Sequence, residues 1–160
     1  MRLWHHALIP YLPRQQLLSQ WRECVCIAKS LAEKGTPNHV LVNKILEYSS
    51  VDFLVYGEFV MREFRYRGYQ MKDESMRKFY GYNREWRERR KVELNGTLPK
   101  YAESMGLFEF WHTPSYLRQC YYNLQEKHDC GAVPDDEWER FEQGYMATLK
   151  GMEKVLEEDA

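Results

Sequence analysis

The sequence predicts an all-α fold from three observations. Apolar residues recur at three- and four-residue steps over long stretches, strand-like alternation is absent, and Pro13, Pro37, Pro114 and Pro134 stand at the starts of the periodic stretches. With 160 residues, 44% of them hydrophobic and 15% aromatic, the chain is expected to form a single compact domain of five to six helices around one core. Pro10 and Pro13 bracket a short irregular start. Pro13 suits a first helical turn, where its missing N–H has no partner to lose. Leu17, Trp21, Cys24, Ala28 and Leu31 then define an amphipathic helix over 13–34, stopped by Gly35. Thr36-Pro37-Asn38 signals a helix start for a segment reaching about Tyr48. An apolar helical run from Val51 to Arg67 ends at Gly68 and is expected to hold the core. Residues 74–93 are helix-compatible, polar and basic, and read as a surface helix, followed by a loop at 95–99. Pro114 to Lys127 and Asp135 to Glu158 complete the set. Asp135, Asp136 and Glu137 suit the positive end of the last helix's dipole.

The formal charge of −1 argues against a polycation or an acidic disordered chain, yet it averages over two opposed regions. Residues 62–100 hold twelve basic and six acidic side chains, and residues 126–160 hold four basic and eleven acidic. Such sectoring steers an anionic partner to one surface. No run of eighteen apolar residues exists, so no membrane span is expected. Prolines 10 and 13 interrupt any signal-peptide core, and a cytoplasmic location follows as the expectation. Cys24, Cys26, Cys120 and Cys130 match no common zinc spacing and read as free buried thiols.

Chemistry-bearing residues concentrate in the first helix. At 100° per residue Glu23 lies near Gln16, Ser19 and Gln20, at the edge of the apolar stripe, where partial desolvation can tune a carboxylate. Periodicity alone is equally satisfied by a solvated glutamate.

Met1-Arg2-Leu3, Pro13-Arg14-Gln15-Gln16-Leu17 and Trp21-Arg22-Glu23 resemble the N-terminal motif of the pyrimidine-dimer DNA glycosylase/AP lyase family, without a gap over the first twenty-four residues. Glu58 to Asp73 is similar to the family's helix ending in a basic residue, glycine, an aromatic and Lys-Asp. Ser115 to Lys127 is similar to its last catalytic-face helix. The resemblance implies an endonuclease V-like, all-α fold with a glycosylase-like core over 1–130, and an acidic C-terminal helix, 131–160, without family counterpart. It also implies double-stranded DNA as partner, no cofactor, and chemistry in which the N-terminal amine attacks the sugar C1′, forms an imine and cuts the strand by β-elimination. An α-amine, ordinarily near 7.7–8.0, suits that role better than a lysine near 10.4. By resemblance Glu23 is the acid/base beside the amine of Met1 or Arg2, and Arg22, Gln15, Gln16, Lys127 and Asn123 face DNA. The chain departs from the family's phage members at several points: Arg2 stands in place of threonine, Gln16 of histidine, and Leu3, Cys26 and Asn123 of arginines. The basic-aromatic C-terminal loop gives way to the acidic helix.

Outside that motif, the run Arg84 to Lys91 reads either as a DNA-backbone contact or as a solvated helix laced with ion pairs. His5-His6 could be metal ligands or a proton relay near the amine. With no third ligand at recognisable spacing, no metal is expected. His112, before Thr113-Pro114, reads as a helix-start residue that caps or packs. One of Tyr121 and Tyr122 is expected in the core and the other is free to stack on a base. The alternative to an enzyme is a non-catalytic helical module whose acidic C-terminal helix docks on a basic protein partner.

Overall fold

The computed structural model describes residues 1–93, 95, 97–102 and 106–158; Gly96 of the expected loop and residues 159–160 of the expected terminal helix lie outside them. The described residues form five α-helices and no strand: α1 Arg14–Lys34, α2 Ser50–Tyr66, α3 Asp73–Glu93, α4 Pro114–Asp129 and α5 Asp135–Glu158. Two 3-10 helices, His6–Tyr11 and Asn43–Glu47, complete the regular structure. Among the described residues no helix is long and apolar enough to cross a membrane.

The termini follow local chemistry. Gly35 ends α1 in the left-handed region at φ 73°, its N–H donating to Leu31 O. Ser49 Oγ accepts from Val51 N at the start of α2. Thr113 Oγ1 accepts from Tyr116 N at the start of α4, with Pro114 in the first turn. The segment after Gly35 departs from the expected helix. Asn38 takes φ 53°, and His39 N donates to Asn43 Oδ1, so the chain turns there and only one short 3-10 helix forms before Tyr48.

Helices α1 and α3 run side by side in the same direction, with Trp21 against Phe79 at one end and Arg89 donating to Glu33 O at the other. Helix α2 runs oppositely against both, placing Phe53 beside Phe79 and Trp86, and Phe64 beside Trp21. Helix α3 is therefore not a surface helix as its composition suggests. Its buried stripe of Phe79, Asn83, Trp86 and Arg90 is narrow, and the charged remainder dominates the average. The basic run divides: Arg90 is buried over the Trp86 ring and donates to Leu46 O, while Lys91–Glu88 and Arg89–Glu93 form surface pairs.

Gly57 is where α2 meets α3. A Cβ there would overlap the fully buried Phe79 ring, whereas one at Gly81 meets nothing. Gly57→Ala is expected to destabilise the protein by up to about 2 kcal/mol, the ~1–3 kcal/mol of overpacking being offset by the ~1 kcal/mol gained in helix propensity. Gly81→Ala is expected to gain up to ~1 kcal/mol. Urea unfolding of the pair measures both, and equal midpoints would contradict the close packing.

Helix α5 closes over α4 and the first 3-10 helix. Tyr121 stacks on Tyr145 at 4.1 Å, and Gly144 lies so close to the Tyr11 ring that a Cβ would overlap it. Several of its carboxylates act within the molecule: Glu137 accepts from Arg14 N, Glu142 from Tyr121 OH, and Asp135 and Glu153 pair with His128 and Arg118. Tyr121 is thus the core tyrosine and Tyr122 the exposed one. The cysteine expectation is half corrected: Cys24 and Cys120 are buried, but Cys26 and Cys130 are exposed, because they sit on the outward sides of α1 and the α4 terminus. Arg67 anchors the chain start from the end of α2, pairing with Glu63 at 2.6 Å and donating to Leu12 O and Pro10 O.

Candidate active site at the chain N-terminus

Residues 1–5 have no regular structure, yet Leu3, Trp4 and His5 are buried, so their backbone groups need partners from elsewhere. Three helices supply them. Helix α1 offers Glu23 Oε2, which accepts from Arg2 N at 3.0 Å, and Gln20 Oε1, which accepts from Trp4 N at 2.9 Å. Helix α4 offers the Tyr116 hydroxyl, donating to Leu3 O at 2.6 Å. Helix α2 offers the Tyr56 hydroxyl, 2.8 Å from Trp4 O and 3.1 Å from Gln20 Oε1, its single proton serving one acceptor at a time. Burial pushes the Tyr56 and Tyr116 hydroxyls above the ordinary tyrosine range, so both remain proton donors. The first residues are held in one register, with the Arg2 backbone nitrogen beside a carboxylate.

That carboxylate opens on a cleft of 260 Å³. On the α1 side it is lined by Gln15, Gln16, Ser19 and Glu23, on the α4 side by Asn123 and Lys127, and at the chain start by Met1, Arg2 and Trp4. Glu23 is half-buried, which keeps it in contact with solvent while limiting its hydration. Gln16 Oε1 is buried there without a hydrogen-bond partner. The Arg2 guanidinium and the Lys127 ammonium both lie about 6 Å from the Trp4 ring centre, bringing two cations to the mouth of the cleft. The structure thus brings together Met1, Arg2, Gln15, Gln16, Glu23, Asn123 and Lys127. Arg22 does not join them. One residue from Glu23 turns it 100° around α1, where it lines a separate cavity with Trp21, Cys26, Met71, Lys72 and Lys78. Three residues were missed by sequence reasoning. Ser19 shares the Glu23 face and was legible from helical spacing, Trp4 lies within the N-terminal motif, and Leu41 comes from the irregular segment and carries no local signal.

Behind the chain start lies a second cluster. The third histidine beside His5 and His6 is His112, which no spacing rule could supply from more than a hundred residues away. The His5, His6 and His112 ring centres are 4.7, 5.0 and 5.3 Å apart. Phe108 O receives both Trp111 N and His112 N, in a turn where Phe108 takes φ 52°, and this delivers His112 to the cluster. His112 neither caps α4 nor faces the cleft; Thr113 caps. Burial holds all three imidazoles below the ordinary histidine value, His5 at about 3 and His112 well below. The unfolded chain takes up these protons near pH 6.5 while the folded chain refuses them, so stability is complete above about pH 6.5 and lost as pH falls toward 3. Urea midpoints at pH 7.5 and 5 are expected to differ, the acidic one being lower. Equal midpoints would mean that the cluster is not held neutral.

Comparison with curated proteins and with solved structures gives no match. A family model described as pyrimidine dimer DNA glycosylase matches residues 1–77, the stretch that contributes the whole α1 side of the cleft and the chain start, while Asn123 and Lys127 lie beyond it. That match makes residues 1–77, a little under half of the chain, similar to the pyrimidine dimer DNA glycosylase family.

Proposed function

We propose that the protein is a DNA-repair glycosylase acting on damaged duplex DNA, pyrimidine dimers by family resemblance, with AP-lyase strand cleavage through an imine at the N-terminal amine. The observation that carries the reading is the 3.0 Å hydrogen bond between Arg2 N and Glu23, because it sets the nitrogen next to the terminal residue beside the carboxylate that lines the cleft. In this reading the terminal amine, having lost a proton, attacks C1′. The C1′–N glycosidic bond breaks, the departing base leaving with its electron pair and taking a proton, and the C1′–O4′ bond then opens, O4′ taking a proton as the nitrogen gives one up to form C1′=N. The resulting imine makes the C2′ proton acidic, and its removal expels the 3′ phosphate. Glu23 receives and returns protons beside C1′, which needs a carboxylate within hydrogen-bond reach of the reacting nitrogen. Lys127, Asn123, Gln15 and Gln16 hold the lesion strand along the cleft, and Arg22 contacts backbone further along. Reaching C1′ in a duplex requires the target nucleotide to leave the stack. The core over 1–130 carries this chemistry, and the acidic helix beyond it lowers general attraction to DNA, favouring short engagement.

Incubation with an abasic-site duplex and borohydride is expected to trap a covalent adduct on the N-terminal peptide. Mass spectrometry of that peptide reads whether Met1 is retained and supplies the amine, or removed so that the Arg2 nitrogen, already at Glu23, becomes the α-amine. An adduct on an internal lysine, or none between pH 6 and 9, would overturn the lyase reading.

A further inference from the structure

We propose that His5, His6 and His112 form a binding site for a divalent transition metal of the zinc class. Each ring offers one nitrogen within 4.8 Å of one from each of the others. Three imidazoles on a tetrahedral metal, with bonds of about 2.0–2.1 Å, have ring centres about 5.2 Å apart and ligand nitrogens about 3.3 Å apart. The observed centres, at 4.7, 5.0 and 5.3 Å, are near this spacing, but the rings lie in a stack with interplanar angles of 26°, 30° and 7°. The Nδ1 atoms of His6 and His112 are 3.1 Å apart. Closing the site needs the rings to rotate out of this stack and to give up the backbone N–H bonds that His5 Nδ1 and His112 Nδ1 accept.

The hydrogen bonding of His112 within the cluster is incomplete. Nδ1 of His112 faces both the His6 backbone N–H, at 3.0 Å, and the His6 ring, while Nε2 is buried with no partner. With its proton on Nε2 the His112 ring buries an unmet donor; with its proton on Nδ1 it opposes the His6 amide. Neither neutral tautomer satisfies a side chain that is only 4% exposed. His5 donates from Nε2 to His112 O at 2.8 Å, the carbonyl contact that orients metal-bound histidines, and its Nδ1 accepts from Ala7 N at 3.2 Å, a long bond that a metal would have to displace. Burial keeps all three rings in the neutral form that ligates. His6 is half-buried, the least enclosed of the three rings. Bound metal would tie the segment following Trp4 to the turn that starts α4, and so join the chain start to the helix carrying Asn123 and Lys127.

This inference stands apart from the proposed glycosylase activity, and its test needs no DNA. Tag-free protein, stripped with a chelator, is titrated with Co²⁺, followed by visible absorption, and with Zn²⁺, followed by calorimetry. One equivalent per chain is expected, with the intense absorption of four-coordinate cobalt, displacement by zinc and a raised Tm. His6→Ala, at a half-exposed position, is expected to keep the fold by circular dichroism and weaken Zn²⁺ binding at least tenfold, as is His112→Gln where it folds. His39→Ala, outside the cluster, is expected to leave binding unchanged. No stoichiometric binding by the parent protein, or equal affinity in parent and His6→Ala, overturns the site.

Discussion

Glu23→Gln is expected to slow cleavage of lesion or abasic duplex by about 10²–10⁴-fold while leaving duplex affinity unchanged or slightly tighter. The isosteric amide keeps an oxygen that can accept from Arg2 N, now 3.0 Å from the carboxylate, so the register of the chain start is retained. What it loses is the capacity to take and return a proton beside C1′. Removing one negative charge from a cleft whose mouth holds Arg2 and Lys127 also favours an anionic ligand. Single-turnover cleavage and equilibrium binding at fixed salt separate the two effects, and an unchanged cleavage rate would remove Glu23 from its assigned role. Glu23→Ala is a poorer probe because it also deletes the acceptor that holds Arg2 N.

The helices were legible because their signals are local. Periodicity and the caps at Gly35, Ser49 and Thr113 depend on residues within one or two turns, and the observed ends fall at or beside the expected ones. Two readings failed where local chemistry was overruled. Asn38 in the left-handed region redirects the 36–48 segment, and α3 hides a narrow apolar stripe beneath an average dominated by arginine and glutamate. The site was legible on α1, where Gln16, Ser19 and Glu23 share a face by spacing, and through the motif at the chain start. Opposed partners are a different matter. Tyr56, Tyr116 and His112 reach the chain start from helices or turns 52 to 113 residues away, and nothing in their own neighbourhoods announces it. Gln20 marks the boundary between the two cases: helical spacing puts it at the polar edge near Glu23, but the backbone of residues 3–5 covers it and leaves it fully buried.

Gln20→Leu is therefore the substitution expected to cost most outside the reacting groups. Gln20 Oε1 serves Trp4 N and, in one orientation, the Tyr56 hydroxyl. Leucine fills similar volume, so the loss is polar rather than a cavity. Trp4 N is left a buried donor without an acceptor, which costs about 1–3 kcal/mol, and Tyr56 keeps only Trp4 O. Tyr56→Phe removes the other half of the arrangement, leaving Trp4 O without its donor. Because both act on the same Trp4 peptide groups, their effects should couple, and a double-mutant cycle should depart from additivity by 0.5 kcal/mol or more. The consequence for catalysis runs through geometry. Arg2 N reaches Glu23 only while Trp4, two residues on, is fixed, and a displacement of about 1 Å in a reacting nitrogen can cost about 10²-fold. Gln20→Leu is accordingly expected to lower borohydride trapping by one to two orders of magnitude at a temperature where circular dichroism shows the fold intact. Full trapping in a folded Gln20→Leu protein would mean that the chain start finds Glu23 without this support.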